Sequence, residues 1–536
     1  MSSDALHRVA TLRESGETAR AIEQGEREIV RHPALADALH LVGVLHCEAS
    51  ACGRGLRLLE LASRLEPHNP QIWLNVARGQ RRLSSYPAAV TALARALVLA
   101  PGQSFTINVA GAYKASREFD SAAKFFSNKV CVWAASLDPL SLDAVLHLAT
   151  LVKRQGDYEG AVAWYLKAVT LSPAALSVLT GLAEAWTELG YFDEAQRMYG
   201  WAWVCEPGSQ DVPYWLSFVQ LRACSFEAGW LNYEYRWSAA AGAAQQRECA
   251  EVRASRPQFS GESPGKRVLL WAEQGIGDEI MFGGMIKEFS QYCRELIVQL
   301  DPRLVELFSR AIPGVEFIGF EQPLPLDRYD EQLSLGSLGR YLRPNRESFV
   351  GKGTRYLHGR PGLSARLRKD LNLQSNEFLV GLSWQSANPE FGPSRSLSLA
   401  DLLRSLSLGG VRFLNLQYGD SAPEIEDARR QVGTALLAHP EVNLTRDLNG
   451  VAGLIECCDL VVSVGNATAH LAGALGRATW VLLPYVAGWR WLQEGEACLW
   501  YESVRLFRQQ RRGDWGSVML DVRSAFQRRL NYGVGG

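Results

Sequence analysis

Residues 156–173 are GDYEGAVAWYLKAVTLSP, and residues 190–207 follow the same plan with GYFDEAQRMYGWAWVCEP. Each stretch begins with a glycine, which permits a tight turn, and ends at a proline, which cannot continue a helix. Between these ends, alanine and tyrosine recur at helical spacing, as at Ala161, Tyr165 and Ala168. The two stretches therefore predict two copies of one helical hairpin unit.

The proline of this unit recurs along the first half of the chain. Its spacing is 34 residues, with one interval of 38, at Pro33, Pro67, Pro101, Pro139, Pro173 and Pro207. Small residues precede five of these prolines by twelve positions, at Ala21, Gly55, Ala89, Ala161 and Ala195. This period resembles the tetratricopeptide repeat (TPR), whose hairpins stack into a superhelix. We predict a TPR α-solenoid of about six repeats over residues 1–237, with residues 226–237 as a degenerate cap.

The concave surface of such a superhelix usually binds protein. We expect it to recruit a partner or a protein substrate, and the alternative is a spacer that stabilises the neighbouring domain. Residues 238–264 are mostly small and polar and contain proline and glycine, which predicts a linker. On this basis, residues 1–237 and 262–536 should fold as separable fragments.

From Lys266 onward, short apolar strands alternate with helices, a pattern typical of α/β units on parallel sheets. The predicted strands fall into two series, at 267–271, 296–300 and 315–319, and then at 378–384, 412–417, 460–463 and 479–483. Two α/β halves therefore follow each other. Such twin domains commonly bind a nucleotide-containing ligand in the cleft between their strand ends, where helix N-termini point.

The loop after the first predicted strand is AEQGIGDEI, residues 272–280. Gly275 and Gly277 allow a tight turn and a close approach of the backbone to a ligand, and they leave Asp278 at the mouth of the predicted cleft. The full dinucleotide-binding fingerprint is not present, which disfavours hydride transfer. Asp278 is either a functional carboxylate or the N-cap of the following helix.

A second loop, residues 463–476, leads from another predicted strand into a helix of small residues. A helix that begins near Asn466 offers unpaired N–H groups and the positive end of its dipole to a phosphate. Thr468 and His470 are available as further donors. His470 is either a ligand contact or a buried core residue, and its place in the first helical turn favours ligand contact.

Several motifs of the second half occur in a fixed order: residues 275–282, GLSW at 381–384, RSL at 395–397, residues 465–476, WVLLP at 480–484, WRW at 489–491 and RLFR at 505–508. Together they resemble the bacterial TPR-linked glycosyltransferases related to the ADP-heptose:lipopolysaccharide heptosyltransferases. The resemblance covers about residues 265–530, and the repeat array upstream fits the same family.

The resemblance implies a GT-B fold of two Rossmann-like domains, with an acceptor half at residues 265–370 and a nucleotide-sugar donor half at residues 371–536. It implies an inverting, metal-independent transfer in which Asp278 is the general base and His470 assists the departing phosphate. The implied donor-binding residues are Gly275, Gly277, Trp384, Arg395, Gln417, Gly465, Asn466, Ala467 and Thr468. No Asp-x-Asp pair stands near a predicted strand end, which agrees with metal independence.

Some members of this group are similar to enzymes that glycosylate flagellin with a nonulosonic acid such as pseudaminic acid. The implied acceptor is Ser or Thr of a protein bound through the repeats, with flagellin as the expected partner. Heptosyltransferases have Asp-Thr where this chain has Gly465-Asn466, and the uncharged Asn466 suits a donor that already carries a carboxylate, such as a CMP-nonulosonic acid. The alternatives are a TPR adaptor with an inactive transferase half, and a transferase that acts on lipopolysaccharide or lipid-linked saccharide.

Composition fits a folded protein without a strong overall charge. Lys and Arg number 56 against 57 Asp and Glu, so no global field attracts nucleic acid or an anionic membrane. The ten cysteines include no CxxC pair, which favours reduced thiols over a zinc site. The polar N-terminal segment and the interrupted apolar stretches predict neither a signal peptide nor a membrane span. We therefore expect a cytoplasmic protein with no cofactor beyond its nucleotide-sugar substrate.

Overall fold

A computed structural model describes residues 3–49, 51–83, 85–99, 142–261, 265–374, 377–386 and 392–532. The chain divides into two compact units, Met1–Leu189 and Gly190–Gly536. The predicted repeat boundaries at Pro101 and Pro139 lie outside the described residues.

In its described residues, the first unit consists of α-helices, and consecutive helices pack against each other. Its helices are α1 (Ser3–Glu14), α2 (Thr18–Arg31), α3 (Ala36–Glu48), α4 (Cys52–Leu65), α5 (Pro70–Arg82), α6 (Tyr86–Leu99), α7 (Leu142–Arg154), α8 (Tyr158–Leu171) and α9 (Leu176–Leu189). Helices of 12 to 14 residues joined by short turns match the predicted hairpin unit.

Small residues sit where helices of a pair meet. A Cβ atom at Gly55 would lie 2.5 Å from the carbonyl oxygen of Gly43, so α3 and α4 approach backbone to backbone at this point. Ala21, Ala89 and Ala161, which hold the equivalent place, are almost completely buried. The prediction of a TPR-type helical solenoid is therefore confirmed over the described residues of this unit.

The second unit begins with more helices of the same kind. They are α10 (Phe192–Cys205), α11 (Asp211–Arg222) and α12 (Phe226–Tyr233), followed by α13 (Ala243–Glu248) and α14 (Ala250–Ser255). Turns of 3₁₀ helix lie at Glu234–Trp237 and Ala240–Gly242.

The predicted boundary at residue 237 therefore differs from the division that the structure shows. Residues 190–237 belong to the same compact unit as the α/β region. Much of the predicted linker at 238–264 is helical, and Cys249 and Val252 pack in one apolar cluster with Trp271 and Tyr329. The alanines of this segment favour helix, and its few apolar residues suffice to bury one face of it.

A buried arginine connects these helices to the α/β region. Arg236 is fully buried, and its Nη2 donates to Ser334 Oγ and Ser337 Oγ, both at 2.8 Å, and to Glu273 Oε1 at 3.2 Å. Its Nη1 donates to Glu234 Oε1 at 2.7 Å. A charge without access to water needs such partners, so this contact fixes the helices against the end of the first sheet.

Two parallel sheets follow. The strands β1 (Arg267–Trp271), β2 (Glu295–Leu300), β3 (Glu316–Gly319) and β4 (Glu331–Ser334) form the first, in the order β3-β2-β1-β4. The associated helices are α15 (Ile276–Gly283), α16 (Ile286–Phe289), α17 (Pro302–Ala311), α18 (Leu338–Leu342) and α19 (Leu363–Asp370), with 3₁₀ turns at Ser290–Tyr292, Leu335–Ser337 and Glu347–Phe349.

The second sheet has six parallel strands in the order β10-β9-β8-β5-β6-β7. They are β5 (Phe378–Ser383), β6 (Val411–Asn415), β7 (Leu436–Leu437), β8 (Leu460–Val464), β9 (Thr479–Leu483) and β10 (Val504–Arg508). The helices are α20 (Gly392–Arg395), α21 (Leu399–Leu406), α22 (Ala422–Val432), α23 (Leu448–Cys457), α24 (Ala467–Ala474) and α25 (Trp515–Tyr532), with a 3₁₀ turn at Trp489–Trp491.

Every residue of β8 and of β9 is buried, which explains their nearly continuous apolar sequences. The prediction of two parallel α/β series is confirmed. Across the part of the chain that the structure describes, no helix is both long enough and apolar enough to cross a membrane.

The fold predicts where the chain can be divided. We expect a fragment of residues 190–536 to unfold cooperatively, whereas a fragment of residues 262–536 should not. The shorter fragment lacks Phe226, Trp230, Tyr233 and Phe259, which share one buried apolar cluster with the first sheet, and each large apolar side chain that loses its burial costs roughly 1.5–3 kcal/mol. The unfolding transition of each fragment in denaturant is monitored by tryptophan fluorescence and circular dichroism. Equal midpoints for the two fragments would show that the helices from 190 to 261 are dispensable.

Candidate functional site

A cleft of about 460 Å³ lies where the two sheets present the carboxyl ends of their strands. The loop after β1 supplies Gly275, Gly277 and Asp278, and the loop after β8 supplies Gly465, Asn466, Ala467, Thr468 and His470. The volume is in the usual range for sites that bind small molecules. The cleft therefore unites the two loops that the sequence analysis selected.

Two helices begin at this cleft. The N-cap of α15 is Gly275, and the N-cap of α24 is Asn466. The first N–H groups of a helix have no acceptor within the helix, and the dipole places partial positive charge at the same end. Two such ends on one cleft favour an anionic ligand.

The glycines of the first loop have different roles. A Cβ at Gly275 would meet no atom within 4 Å, so the backbone there is open to a ligand. A Cβ at Gly277 would lie 3.2 Å from His470 Cδ2 and 3.5 Å from Ala467 Cα. Gly277 thus permits the close approach of α15 to α24.

Asp278 lies in the cleft, where it is paired with an arginine. Arg490 Nη2 donates to Asp278 Oδ2 at 2.8 Å, and Arg490 Nε donates to Asp278 Oδ1. The guanidinium also lies over the ring of Trp489, 4.7 Å from its centroid. Arg490 belongs to the WRW motif, but nothing in its local sequence shows that it reaches a carboxylate more than two hundred residues earlier.

Positive side chains predominate around the cleft. Arg303, Arg395 and Arg490 line it, whereas Asp278 is the acidic side chain among its described lining residues. Arg303 is oriented by Asp301 at 2.7 Å and donates to the carbonyl oxygen of Thr445 at 2.7 Å. Arg395 was predicted, but Arg303 was missed because it belongs to a helix of ordinary amphipathic pattern.

His470 is buried on one side of the cleft by aromatic rings. Its ring stacks on Trp491 with centroids 4.7 Å apart, and its Nδ1 lies 3.0 Å from the hydroxyl of Tyr501. Burial lowers the pKa of His470 to about 3, although the nearby Asp278 carboxylate opposes this shift. At neutral pH the imidazole is therefore uncharged, so it acts on a ligand as a hydrogen-bonding group and not as a cation.

Asn466 uses its side chain within the protein. Its Oδ1 accepts from Ala469 N at 3.3 Å and from Ser463 Oγ at 3.0 Å. Its Nδ2 donates to Ser383 Oγ at 2.9 Å and to Gln385 O at 3.0 Å. The amide therefore forms the N-cap of α24 and ties the end of β8 to the end of β5, and Asn466 also lines the cleft.

Two other predicted donor residues lie outside the cleft lining. Trp384 is fully buried in the apolar cluster on the second sheet. Gln417 is buried, and its Oε1 accepts from the backbone N–H groups of Trp384 at 2.9 Å and Gln385 at 2.8 Å. Trp384 anchors the start of the loop after β5 by its burial, and Gln417 holds the backbone of the same loop by hydrogen bonds. Thr468 lines the cleft, and Gly465 is pressed against Trp491, whose Nε1 would be 2.7 Å from a Cβ there.

Two buried carboxyl groups flank the loop that carries Asp278. Burial raises the pKa of Glu273 to about 7, although Arg236 opposes this shift. Burial also raises the pKa of Glu279 to about 8, against the backbone hydrogen bond from Asp301 N at 2.8 Å. Within the described ranges, no cluster of three His, Cys, Asp or Glu side chains is placed to hold a metal ion.

No protein-family model matches the chain. The chain is 30% identical over 403 residues to Protein FlbA of Caulobacter vibrioides, and the match spans 71% of this chain and 66% of that protein. Identity of this extent shows that the two chains are homologous, although this chain covers slightly less than two thirds of the relative's length.

Solved structures with similarity to part of the chain include two that are described as TPR proteins. MamA is 16% identical, with 37% of this chain and 95% of MamA covered and a TM-score of 0.23. A thermophilic TPR protein of Thermus thermophilus, TTC0263, is 21% identical, with 35% and 99% covered and a TM-score of 0.25. YrrB, described as a TPR protein with an unusual peptide-binding site, is 12% identical, with 34% and 92% covered and a TM-score of 0.28.

The hydrogen bonds of Asn466 predict how its variants differ in stability. Asn466→Ala should lower the free energy of unfolding by about 2–4 kcal/mol, because it removes the N-cap and the buried hydrogen bonds to Ser383 and Gln385. Asn466→Ser keeps an N-cap oxygen and should recover about 1 kcal/mol of that loss. Urea titration of the three proteins tests this, and an alanine variant as stable as the native chain would refute the structural role.

Glu279 predicts a pH dependence of stability. The folded protein keeps the proton of Glu279 up to about pH 8, whereas the unfolded chain releases it near the ordinary glutamate pKa of 4.5. The free energy of unfolding should therefore fall as the pH rises between these values, by at most about 1.4 kcal/mol per pH unit for this group. Glu279→Gln cannot titrate, and its stability should decline less over the same range. Urea midpoints at pH 5, 6, 7 and 8 provide the comparison, and parallel curves would contradict the assignment.

Proposed function

We propose that the chain is an inverting, metal-independent glycosyltransferase of the GT-B type, which moves a sugar from a nucleotide-sugar donor to Ser or Thr of a protein bound by its helical repeats. One observation carries the proposal. A cleft at the carboxyl ends of two parallel sheets unites Asp278, the N-termini of α15 and α24, and three arginines. Ligands of open parallel sheets bind at such edges.

The charged groups of the cleft suit the phosphate of a nucleotide-sugar. Arg303, Arg395 and Arg490 supply positive charge, and the first N–H groups of α24 supply fixed donors. In a partly enclosed cleft these groups stabilise the charge that develops on the departing phosphate. The neutral His470 adds a hydrogen-bonding group beside them. The uncharged Asn466 leaves this end of the cleft without a carboxylate, which suits an acidic donor sugar such as a nonulosonic acid.

Asp278 has the chemistry for the acceptor side of the reaction. Its carboxylate accepts the proton of the acceptor hydroxyl while the hydroxyl oxygen attacks the anomeric carbon of the sugar. The bond between that carbon and the phosphate oxygen breaks, and the electron pair leaves with the nucleotide. The sugar is then joined to the acceptor with inverted configuration.

The acceptor is proposed from the repeats and from the sequence resemblance. Stacked helical hairpins offer a continuous surface for a protein partner. Some members of the transferase group that the sequence resembles are similar to enzymes that glycosylate flagellin. We infer a flagellin as the protein acceptor and a CMP-nonulosonic acid as the donor. The proposed compartment is the cytoplasm.

A second function, binding without catalysis, is favoured by a specific observation. Both carboxylate oxygens of Asp278 accept hydrogen bonds from Arg490, so the proposed base is already engaged. In this alternative the chain is a TPR adaptor whose cleft only holds a ligand. Turnover separates the two functions.

Asp278→Asn tests the proposal. A general base supplies about 10²–10⁴-fold in rate, so the variant should transfer sugar more slowly by that factor while it keeps its fold. The matched control is Glu496→Gln, which removes one negative charge from an exposed pair with Arg505 outside the cleft. It should retain the native rate.

Two measurements test the expected loss of sugar transfer in Asp278→Asn. Release of nucleotide from a CMP-nonulosonic acid measures turnover, and intact mass of flagellin co-expressed with each variant measures transfer. Native turnover by Asp278→Asn would remove Asp278 from the reaction. A native chain that turns over no donor would favour the adaptor, and donor turnover without a mass shift would exclude flagellin as the acceptor.

A further inference from the structure

The pair of Asp278 and Arg490 joins the two halves of the cleft. Asp278 lies on α15, which follows the first strand of the first sheet, and Arg490 lies in the 3₁₀ turn after β9 of the second sheet. We propose that this pair is a donor-operated latch: Arg490 occupies Asp278 in the empty cleft, and the phosphate of the donor draws Arg490 away and frees Asp278. This inference rests on the proposed function and adds an order of events to it.

The geometry explains why the pair must open. Arg490 contacts both oxygens of Asp278 through two different nitrogens, which is the strong, two-point form of an arginine–carboxylate pair. Both oxygens of a carboxylate held in this way are occupied by N–H groups, so an acceptor hydroxyl can reach Asp278 only when the guanidinium moves away. The side chains of Asp278 and Arg490 are only 17% and 26% exposed, so water screens their attraction weakly.

The groups around Arg490 show what can separate it from Asp278. Arg490 lines the same cleft as Arg303 and Arg395, close to the first turns of α15 and α24. A phosphate that binds among these groups offers Arg490 a second anionic partner with more oxygens than Asp278 has. Trp489 lies under the guanidinium and provides a surface on which it can stay stacked while it changes partner.

The latch gives the reaction an order. Before the donor binds, Asp278 is occupied, so it does not deprotonate an acceptor hydroxyl or a water molecule. After the donor binds, Asp278 takes the acceptor proton, and Arg490 stays with the phosphate that becomes the leaving group. When the nucleotide leaves, Arg490 returns to Asp278, and the proton passes to solvent.

Competition for Arg490 is measurable without turnover. Inorganic pyrophosphate serves as the probe, titrated calorimetrically into the full chain and into Asp278→Asn, Arg490→Gln and the double variant. Because Asp278 and the anion compete for one guanidinium, Asp278→Asn should bind pyrophosphate at least about fivefold more tightly than the native chain. Arg490→Gln should bind it more weakly, and adding Asp278→Asn to that variant should change the affinity by less than about twofold.

The double variant separates the latch from simple repulsion. If Asp278 acted only as a negative charge in the cleft, its removal would tighten binding equally with and without Arg490, and the latch would be wrong. Unchanged affinity in Asp278→Asn would also overturn it. Glu496→Gln controls for net charge and should bind as the native chain does. If Arg490→Gln does not fold, Arg490→Lys provides a second test, because lysine keeps the charge but loses the two-point contact. Adding Asp278→Asn to Arg490→Lys should then tighten pyrophosphate binding less than Asp278→Asn does in the native chain.

The test also separates this inference from the proposed function. Pyrophosphate binding by the native chain without the expected change in Asp278→Asn rejects the latch and leaves an anion-binding transferase cleft. A native chain and variants that all fail to bind pyrophosphate reject both, because the cleft would then hold no phosphate.

Discussion

The burial of a full positive charge at Arg236 is the constraint on which the arrangement of the second unit depends. A guanidinium with no access to water is tolerated only where fixed acceptors surround it. Those acceptors come from the end of β4, from the turn after it, and from Glu273 directly after β1. Because Glu273 also accepts from the backbone of Gly336 at 3.1 Å, the start of the loop to Asp278 is held from two sides.

Aromatic packing also connects the same helices to Arg490, the partner of Asp278. Trp230 and Tyr233 of α12 contact Trp489 with centroids 5.5 and 6.1 Å apart, and Trp489 in turn lies under Arg490. The Nε1 of Trp230 donates to the carbonyl oxygen of Arg343 at 2.8 Å, which orients its ring. The last helices of the repeat type therefore position Arg490 by packing and Asp278 by charge.

The sequence predicted those parts of the molecule that repeat or alternate locally. The 34-residue spacing predicted the helical hairpins, and apolar runs predicted the strands from 267 to 271 and from 460 to 463. It missed β4, because Glu331 and Gln332 are polar although the fold buries both. Residues 238–264 were predicted to be a linker, since small residues are as typical of a loop as of a short packed helix.

At the site, local motifs predicted which loops meet but not what each side chain does. Asn466 was assigned to the donor site, and its local sequence did not show that its side chain makes four hydrogen bonds within the protein. The partner of Asp278 could not be predicted, because the contact with Arg490 exists only once both sheets are formed. Tertiary contacts of this kind leave no local periodicity in the sequence.

The close approach at Gly277 ties together two positions that are remote in the chain. A side chain at 277 would press on the imidazole of His470, which is buried and stacks on Trp491. Among homologous sequences, a larger residue at 277 should therefore occur only with a smaller one at 470. Substitutions at positions 277 and 470 should therefore be correlated among homologues, and a substitution at only one of the two positions should be rare.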